Sequence, residues 1–477
     1  MVTLCKAFPV ERSILLRWLL AISLAKLVWF GLFIALRSEH WTNHASIGYI
    51  ALQPNESLGY YHPLESLLHD GHYQGMCRMP GLLPFYLPLR AVLPEVAALQ
   101  SMVVLQVVFD IFATLCLGLL AARIFQSKRA MHLTYLLACV STFTAVRNNF
   151  LLSDSLCISI AILALFSFSS YLLHRKKRYL LWAGIGLCTA LFLRPIVLVV
   201  VPGVCVLLFW SEGISKQTVR ACLLLLLPSL LALTTWTIRN RVTYGRNVIL
   251  IAPLGECQPQ ITPEFEAIRN WILATGGDFQ PWAVGGESHW FFDPSLPEIL
   301  PFDQSDYTPA YDSTDLLMLR EDYHRLHANT LALQDSVALM ASIIERADRC
   351  TQAYKATHPF RYYALNKVKF AGMILFPSRV DDLPFPAFAQ MQAPQKAVKI
   401  WSFFLLLTVN SCSLLALLYW IWKKRIDYLL WMCLPLGLIA LHSCIGFVEQ
   451  RYLAISYPFM VMMLAGFAAS FTKNKFM

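Results

Sequence analysis

The sequence predicts an all-α polytopic membrane protein. Of its 477 residues, 57% are hydrophobic and 14% are charged, and the mean hydropathy is +0.53. A soluble protein carries about a quarter charged residues. Several apolar runs reach the roughly 20 residues that a helix needs to span a bilayer. Runs of this length exclude a membrane β-barrel, whose strands are about 10 residues long and alternate in polarity.

The first apolar run, residues 14–36, is expected to be a retained membrane helix. It follows Lys6, Arg12 and Arg17, as the apolar part of a signal peptide would. The run is too long for a signal peptide, however, and no small-residue cleavage site follows it.

The basic residues predict the orientation of the helices. Although the net charge is +10, these residues lie in short clusters between apolar runs, which is typical of cytoplasmic helix ends and not of nucleic-acid binding. The clusters are Lys6/Arg12/Arg17, Arg123/Lys128/Arg129, Arg175/Lys176/Lys177/Arg178, Lys216/Arg220, Lys423/Lys424/Arg425 and Lys473/Lys475. Helices threaded between them give about ten spans with both termini inside. The predicted spans are 14–36, 98–122, 131–147, 152–173, 179–194, 196–211, 221–239, 398–422, 427–446 and 452–471.

This topology places two polar segments on the same, outer side of the membrane. They are residues 37–97 and a large loop domain, 240–397, between the seventh and eighth spans. The second segment holds most of the acids and is net negative, as expected outside. We therefore predict an N-terminal membrane module, 1–239, that includes the first outer loop, then the loop domain, then C-terminal membrane helices, 398–477.

The second half of the loop domain predicts an amphipathic helix around residues 331–354. Such a helix would pack on the loop domain or lie at the membrane surface. The apolar residues at helical spacing are Leu333, Val337, Met340, Ile344 and Ala347.

The thirteen cysteines form no CxxC pair and no metal-binding spacing. Most lie inside apolar runs, where a cysteine usually acts as a small hydrophobic residue. Cys77, Cys257 and Cys350 fall in the predicted outer segments, and a bridge between Cys257 and Cys350 is one open alternative.

Polar residues that can carry chemistry gather at the predicted outer ends of the spans. Arg147 and Asp154 are seven residues apart, a spacing that would place them on one face if a helix joined them. The other candidates are Glu56, His62, His69, Asp70, His72, Arg78, Arg194, Arg239, Arg241, Glu449 and Arg451.

Arginines and carboxylates at one membrane face suit the transfer of a group from a lipid-linked phosphate to an alcohol. An arginine binds phosphate through two parallel hydrogen bonds, and a carboxylate can take the proton of an attacking hydroxyl. Structural alternatives remain open: arginines at helix ends often extend toward lipid headgroups, Asp154 can simply pair with Arg147, and Glu56 can be a solvated acid. The loop histidines lack the spacing of zinc ligands.

Residues 55–84, "NESLGYYHPLESLLHDGHYQGMCRMPGLLP", resemble the first outer loop of the GT-C glycosyltransferases. The likeness is greatest to the bacterial RgtA/B/C/D-like or dolichyl-phosphate-mannose-protein mannosyltransferase type, which includes the lipid A aminoarabinose transferases. The matching parts are "ESLGY", "DGHY" and "RMPGLLP". The stretches "LLSDSL", "GIGLCTALFLRP", "WTIRNRVTYGRNVIL" and "EQRYLAISYP" resemble later motifs in the same order. The sequence departs from the family at Glu56, where an aspartate is usual.

The resemblance implies a polyprenyl-phosphate-sugar donor and a catalytic centre at the outer face. Glu56 would be the general base, with Asp70 as the alternative, and Asp154 would orient the acceptor or help to hold a divalent metal ion. The implied phosphate ligands are Arg78, Arg239, Arg451 and Arg147. The implied acceptor or substrate contacts are Tyr60, His72 and Tyr73.

The expected partners are the lipid bilayer, the lipid-linked donor and a glycan, lipid or protein acceptor, without nucleic acid. The expected location is a bacterial inner membrane with the site facing the periplasm, or the endoplasmic reticulum in a eukaryote. One alternative is an oligosaccharide polymerase or ligase that uses a diphosphate-lipid donor. A non-catalytic assembly factor and a secondary transporter are the others, although the sequence shows no repeat-related broken helices of a transporter.

Overall fold

The computed structural model confirms the predicted all-α fold class. It describes residues 6–38, 50–52, 58–252, 257, 261–277, 286–297, 301–328, 330–377, 383–446 and 450–472. Within these ranges the chain is helical, and extended pairing is confined to isolated bridges at Leu52–Phe150 and Thr308–Tyr311.

The described residues form the following helices, in chain order. They are α1 (Arg12–Leu36), α2 (Leu58–His69), α3 (Leu83–Arg90), α4 (Glu95–Phe125), α5 (Lys128–Val140), α6 (Thr142–Ala145), α7 (Asp154–His174), α8 (Lys177–Leu193), α9 (Val200–Glu212), α10 (Lys216–Tyr244), α11 (Pro263–Thr275), α12 (Glu287–Phe292), α13 (Ser313–His327), α14 (Leu333–Thr357), α15 (Asn366–Leu375), α16 (Ala393–Trp422), α17 (Ile426–Ile445) and α18 (Tyr457–Thr472). Short 3₁₀ turns cover Val146–Asn149, Pro195–Val199, Gln304–Asp306, Phe388–Gln390 and Gln450–Ile455, and a π-helical turn covers Arg361–Leu365.

Seven of the described helical segments are long and apolar enough to cross a bilayer. They are α1, α4, α7, Pro195–Glu212, α10, α16 and α17. The three remaining predicted spans correspond to α5, α8 and α18, which have 13, 17 and 16 residues. The count of ten spans therefore stays a prediction.

The chain divides into two compact units. Unit 1 comprises 1–251, 378–438 and 450–477, and unit 2 comprises 252–377 and 439–449. Unit 2 has its own aromatic core, which includes Trp271, Phe291 and Tyr311.

Helix α14, which contains most of the predicted amphipathic segment, packs on the core of unit 2. Ile343 and Ala347 are buried there, and Ile344 packs against the same core. Leu333 and Val337, at the start of the helix, are instead exposed. Of the two alternatives for this helix, the structure therefore favours packing on the loop domain.

The open alternative of a Cys257–Cys350 bridge is wrong. Cys257 is in a disulfide, whereas Cys350 is a free thiol in the hydrophobic core of unit 2. Burial among apolar side chains raises the pKa of Cys350 to about 11. Cys77, in the first outer loop, is also in a disulfide.

A buried ion pair joins α1 to α4 in unit 1. The Nζ atom of Lys26 lies 2.8 Å from Oδ2 of Asp110, and both residues are buried. Asp110 also accepts hydrogen bonds from the Thr114 hydroxyl at 3.3 Å and the Asn148 amide at 2.7 Å. Lys26 therefore faces the interior of the helix bundle, where its charge is compensated.

Replacing Lys26 with methionine should destabilise the protein by about 3–5 kcal/mol, because Asp110 would be left charged and unpaired in the bundle. Thermal unfolding of the purified protein in detergent measures the change. Lys26→Met combined with Asp110→Leu should recover much of the loss. The matched control is Arg425→Met, because its partner Asp427 lies in a more exposed pair, and the expected cost is about 0–1 kcal/mol. Wild-type stability of Lys26→Met would contradict this account.

Candidate functional site

The site is built around Asp154, the first residue of α7. Its carboxylate is buried and ion-paired with Arg194, which follows the last residue of α8. Arg147, in the 3₁₀ turn before α7, and Arg451, in the 3₁₀ turn before α18, interact electrostatically with the same carboxylate. These four residues are called the arginine cluster below. One carboxylate thus lies in the field of three guanidiniums.

Arg147 and Asp154 are not joined by a helix, because the backbone between them is irregular. The 3₁₀ turn ends at Asn149, and Phe150 is extended. Gln106 of α4 donates hydrogen bonds to the carbonyls of Asn148 and Phe150 at 3.1 and 2.9 Å. Non-helical backbone inside a membrane bundle persists only where its polar groups find such partners.

Residues 50–52 supply further partners to this irregular segment. The Leu52 amide donates to the Asn149 carbonyl at 2.8 Å, and the Leu151 amide donates to the Leu52 carbonyl at 3.0 Å. The Asn149 side chain also donates to the Phe30 carbonyl of α1 at 3.1 Å. Three separate parts of unit 1 thus fix the position of the cluster.

A chain of polar contacts leads from the buried ion pair to the start of α7. Asp110 accepts from the Asn148 amide, and the Asn148 side-chain oxygen accepts from the Ser155 hydroxyl at 2.5 Å. Gln106, Asp110 and Asn148 were not among the candidates from the sequence. Asp110 is an acid within an apolar span, where a charged residue is costly unless it has a function. Its position in the sequence could therefore have marked it as a candidate.

Tyr60 connects the first outer loop to the arginine cluster. Its buried ring lies 4.6 Å from the Arg78 guanidinium carbon and 5.5 Å from that of Arg194. Both distances are in the range of cation–π attraction. The structure therefore brings Tyr60, Arg78, Arg194 and Asp154 together, and Arg194 is the one of these candidates to which the sequence assigned no role in the reaction.

Arg239 holds the backbone of the first outer loop. Its guanidinium donates to the carbonyls of Tyr73 and, at 3.0 Å, Gly75. It also donates to the Asn240 side chain at 2.6 Å, and the Tyr244 hydroxyl accepts from the Gly75 amide at 2.6 Å. These contacts assign Arg239 a positioning role, while its role as a phosphate ligand stays a prediction.

Tyr73, a residue of the same loop, is buried. Its hydroxyl donates to the Arg78 carbonyl at 3.0 Å. Burial raises the pKa of Tyr73 far above its usual value, against the opposing charges of Arg239 and Arg78, so the phenol stays protonated and able to donate.

Asp70 and His72 lie in an exposed turn of the same loop. The Asp70 carboxylate accepts from the Gln74 side chain at 2.7 Å, and His72 Nδ1 lies 2.9 Å from the Asp70 carbonyl oxygen. Their predicted roles stay predictions. Glu56 lies outside the described residues, so its role as the base also stays a prediction.

A second acid of the loop, Glu65 of α2, was not a predicted site residue. It accepts hydrogen bonds from the Tyr86 hydroxyl and from Arg90 Nε at 3.3 Å, both on α3. These contacts brace α2 against α3. In the part of the chain that is described, no three His, Cys, Asp or Glu residues are arranged to hold a metal ion.

Comparison with known proteins supports the fold and the family. A family model for dolichyl-phosphate-mannose-protein mannosyltransferase matches residues 83–238, which include Arg147, Asp154 and Arg194. No curated protein matches the sequence.

The archaeal oligosaccharyltransferase AglB from Archaeoglobus fulgidus, solved in complex with an inhibitory peptide and a dolichol-phosphate, has a similar structure. The TM-score is 0.50 at 14% sequence identity, and the similarity covers 97% of this chain and 50% of the AglB chain. This chain thus spans about half the length of AglB. The family match over residues 83–238 and the shared fold thus make this chain similar to glycosyltransferases of the GT-C superfamily.

Proposed function

We propose that this protein transfers a sugar from a polyprenyl-phosphate donor to a hydroxyl acceptor at the outer face of the membrane. The observation that carries the proposal is the arginine cluster, which Tyr60 connects to Arg78 of the first outer loop. The presence of a dolichol-phosphate in the AglB structure supports a lipid-phosphate donor.

The arginines would bind the phosphate that departs with the lipid. As the bond to the sugar breaks, negative charge develops on this phosphate, and guanidiniums fixed in advance stabilise it. Arg78, Arg147 and Arg451 would contact the phosphate. Arg194 is already paired with Asp154 and would position that carboxylate.

Glu56 would take the proton from the acceptor hydroxyl, and Asp70 is the alternative base. Glu56 precedes Tyr60 by four residues in the sequence, so the base and Arg78 belong to one loop. Asp154 would orient the acceptor. The alternative role of Asp154 is to help to hold a divalent metal ion, which a carboxylate oxygen can bind.

The disulfides support an outer location for the site. Cys77 and Cys257, both disulfide-bonded, fall in the two segments predicted outside. Disulfides persist in oxidising compartments such as the periplasm and the lumen of the endoplasmic reticulum. We favour a bacterial inner membrane with the site facing the periplasm.

The second candidate function is transfer of an oligosaccharide from a diphosphate lipid. The similarity to AglB, which is an oligosaccharyltransferase, favours it. The same cluster of arginines would then face two phosphates instead of one. Mass spectrometry of the lipid-linked intermediates that accumulate in a deletion strain distinguishes the two donors.

Glu56→Gln should lower turnover roughly 10²- to 10⁴-fold, because the general base is lost, and Asp154→Asn should also lower it strongly. The assay uses purified protein, a polyprenyl-phosphate sugar and a hydroxyl acceptor. Asp70→Asn tests the alternative base, and Asp427→Asn is the control for loss of a carboxylate elsewhere. Near wild-type turnover in both Glu56→Gln and Asp154→Asn would refute this assignment.

The Asp154–Arg194 pair should show strong energetic coupling. In a double-mutant cycle with Asp154→Asn and Arg194→Gln, the expected coupling is about 1–3 kcal/mol, because each single variant breaks the same buried, hydrogen-bonded ion pair. Thermal unfolding provides the measurement. The exposed Glu345–Arg349 pair of α14 is the control, with about 0.3–0.5 kcal/mol expected. Additive single effects at Asp154 and Arg194 would show that the pair is not formed.

Arg239→Lys should reduce turnover by roughly 10- to 100-fold through displacement of the first outer loop. Limited proteolysis should then cut the loop faster than in the wild type. Arg241→Lys, an exposed change on the same helix, should alter neither readout. A raised KM for the donor with unchanged proteolysis would instead indicate that Arg239 binds the phosphate directly.

A further inference from the structure

Unit 2 exposes an apolar strip where α14 is followed by the π-helical turn and α15. Residues 359–369 are called the interfacial strip below. The side chains of Phe360, Tyr363 and Val368 are 70%, 68% and 69% exposed, and Leu365 is 49% exposed. A contiguous group of exposed aromatic and aliphatic side chains usually marks an interaction surface.

Basic side chains lie beside and within the strip. The Nζ atoms of Lys355 and Lys367 lie 5.0 and 5.4 Å from the centre of the Tyr362 ring, and Lys369 is exposed. Aromatic rings together with lysines are typical of surfaces that contact lipid headgroups, because the rings suit the interface and the lysines attract anionic lipids. This charge favours a negatively charged partner.

The strip is fixed to the end of a helix that is long and apolar enough to span the membrane. Lys367 Nζ donates to the carbonyl of Cys444 at 3.0 Å, and Cys444 lies in the last turn of α17. Both residues belong to unit 2. The end of a spanning helix lies near the boundary of the hydrocarbon core, where the headgroups begin.

The other face of α15 packs on unit 2 and fixes the position of the interfacial strip. The Asn366 side chain donates to the Ala274 carbonyl of α11 at 2.7 Å, and Phe370 and Ile374 are buried. Since one face of the helix is packed on unit 2, the exposed side chains of the strip are the ones that remain available to a partner.

We propose that the interfacial strip inserts Phe360, Tyr363 and Val368 into the headgroup layer of the membrane, while Lys369 of the strip and Lys355 beside it bind the phosphates of anionic lipids. Interfacial segments of other proteins bind membranes through the same combination of buried apolar area and electrostatic attraction. The strip anchors unit 2 to the bilayer surface. This inference does not depend on the transfer reaction.

The test is photo-cross-linking in the full-length protein. p-Azidophenylalanine replaces Phe360 or Tyr363, and the protein is reconstituted in nanodiscs of phosphatidylcholine with a minority of phosphatidylglycerol. Met318, an exposed apolar residue of α13 in the same unit, is the control position. After irradiation, mass spectrometry identifies the adducts, and size-exclusion chromatography confirms that each variant is folded.

Lipid adducts at positions 360 and 363, several times more abundant than at 318, are the expected result. Lys369→Gln should lower the phosphatidylglycerol share of these adducts by roughly two- to five-fold, the contribution of one basic residue near an anionic surface. Equal lipid yields at all three positions, or adducts to protein at 360 and 363, would overturn the proposal. An unchanged phosphatidylglycerol share in Lys355→Gln/Lys369→Gln would overturn its electrostatic part.

Discussion

The organisation of unit 1 depends on one constraint: the irregular backbone between α6 and α7 must have its polar groups satisfied within an apolar bundle. These residues are buried inside unit 1, where water cannot do so. Gln106 and residues 50–52 therefore provide the missing donors and acceptors to Asn148, Asn149 and Phe150. A continuous helix from α5 to α7 would need none of these partners. Breaking the helix is what allows Arg147 and Asp154 to approach the other arginines.

The buried charges of unit 1 are also held by specific partners. The Lys26–Asp110 pair is neutral as a whole, and Asp110 accepts a hydrogen bond from the Asn148 side chain. In the arginine cluster, one carboxylate lies among three guanidiniums. In the proposed reaction, the lipid phosphate would bring further negative charge beside these guanidiniums.

The sequence was informative about what depends on composition and on single residues. The apolar runs predicted the all-α membrane fold, and the position of Asp154 at the start of an apolar span marked it as exceptional. The sequence was misleading where tertiary packing decides. A seven-residue spacing suggested that Arg147 and Asp154 share a helical face, but the chain is extended at Phe150, and the hydrogen-bonded ion pair of Asp154 is with Arg194, forty residues away. Likewise, nothing in the sequence separates Cys257, which is disulfide-bonded, from Cys350, whose burial in the core keeps it a free thiol.

The contacts of the described acids near the site bear on which carboxylate can act as the general base. A general base must present a carboxylate oxygen to the acceptor hydroxyl. The Asp154 carboxylate is already held by Arg194 and lies in the field of Arg147 and Arg451, so it is suited to fixing the cluster. Glu65 is likewise engaged by Tyr86 and Arg90, and Asp70 accepts from Gln74 in an exposed turn. Each of these described acids is thus already engaged by other residues, while the role of Glu56 as the base stays a prediction.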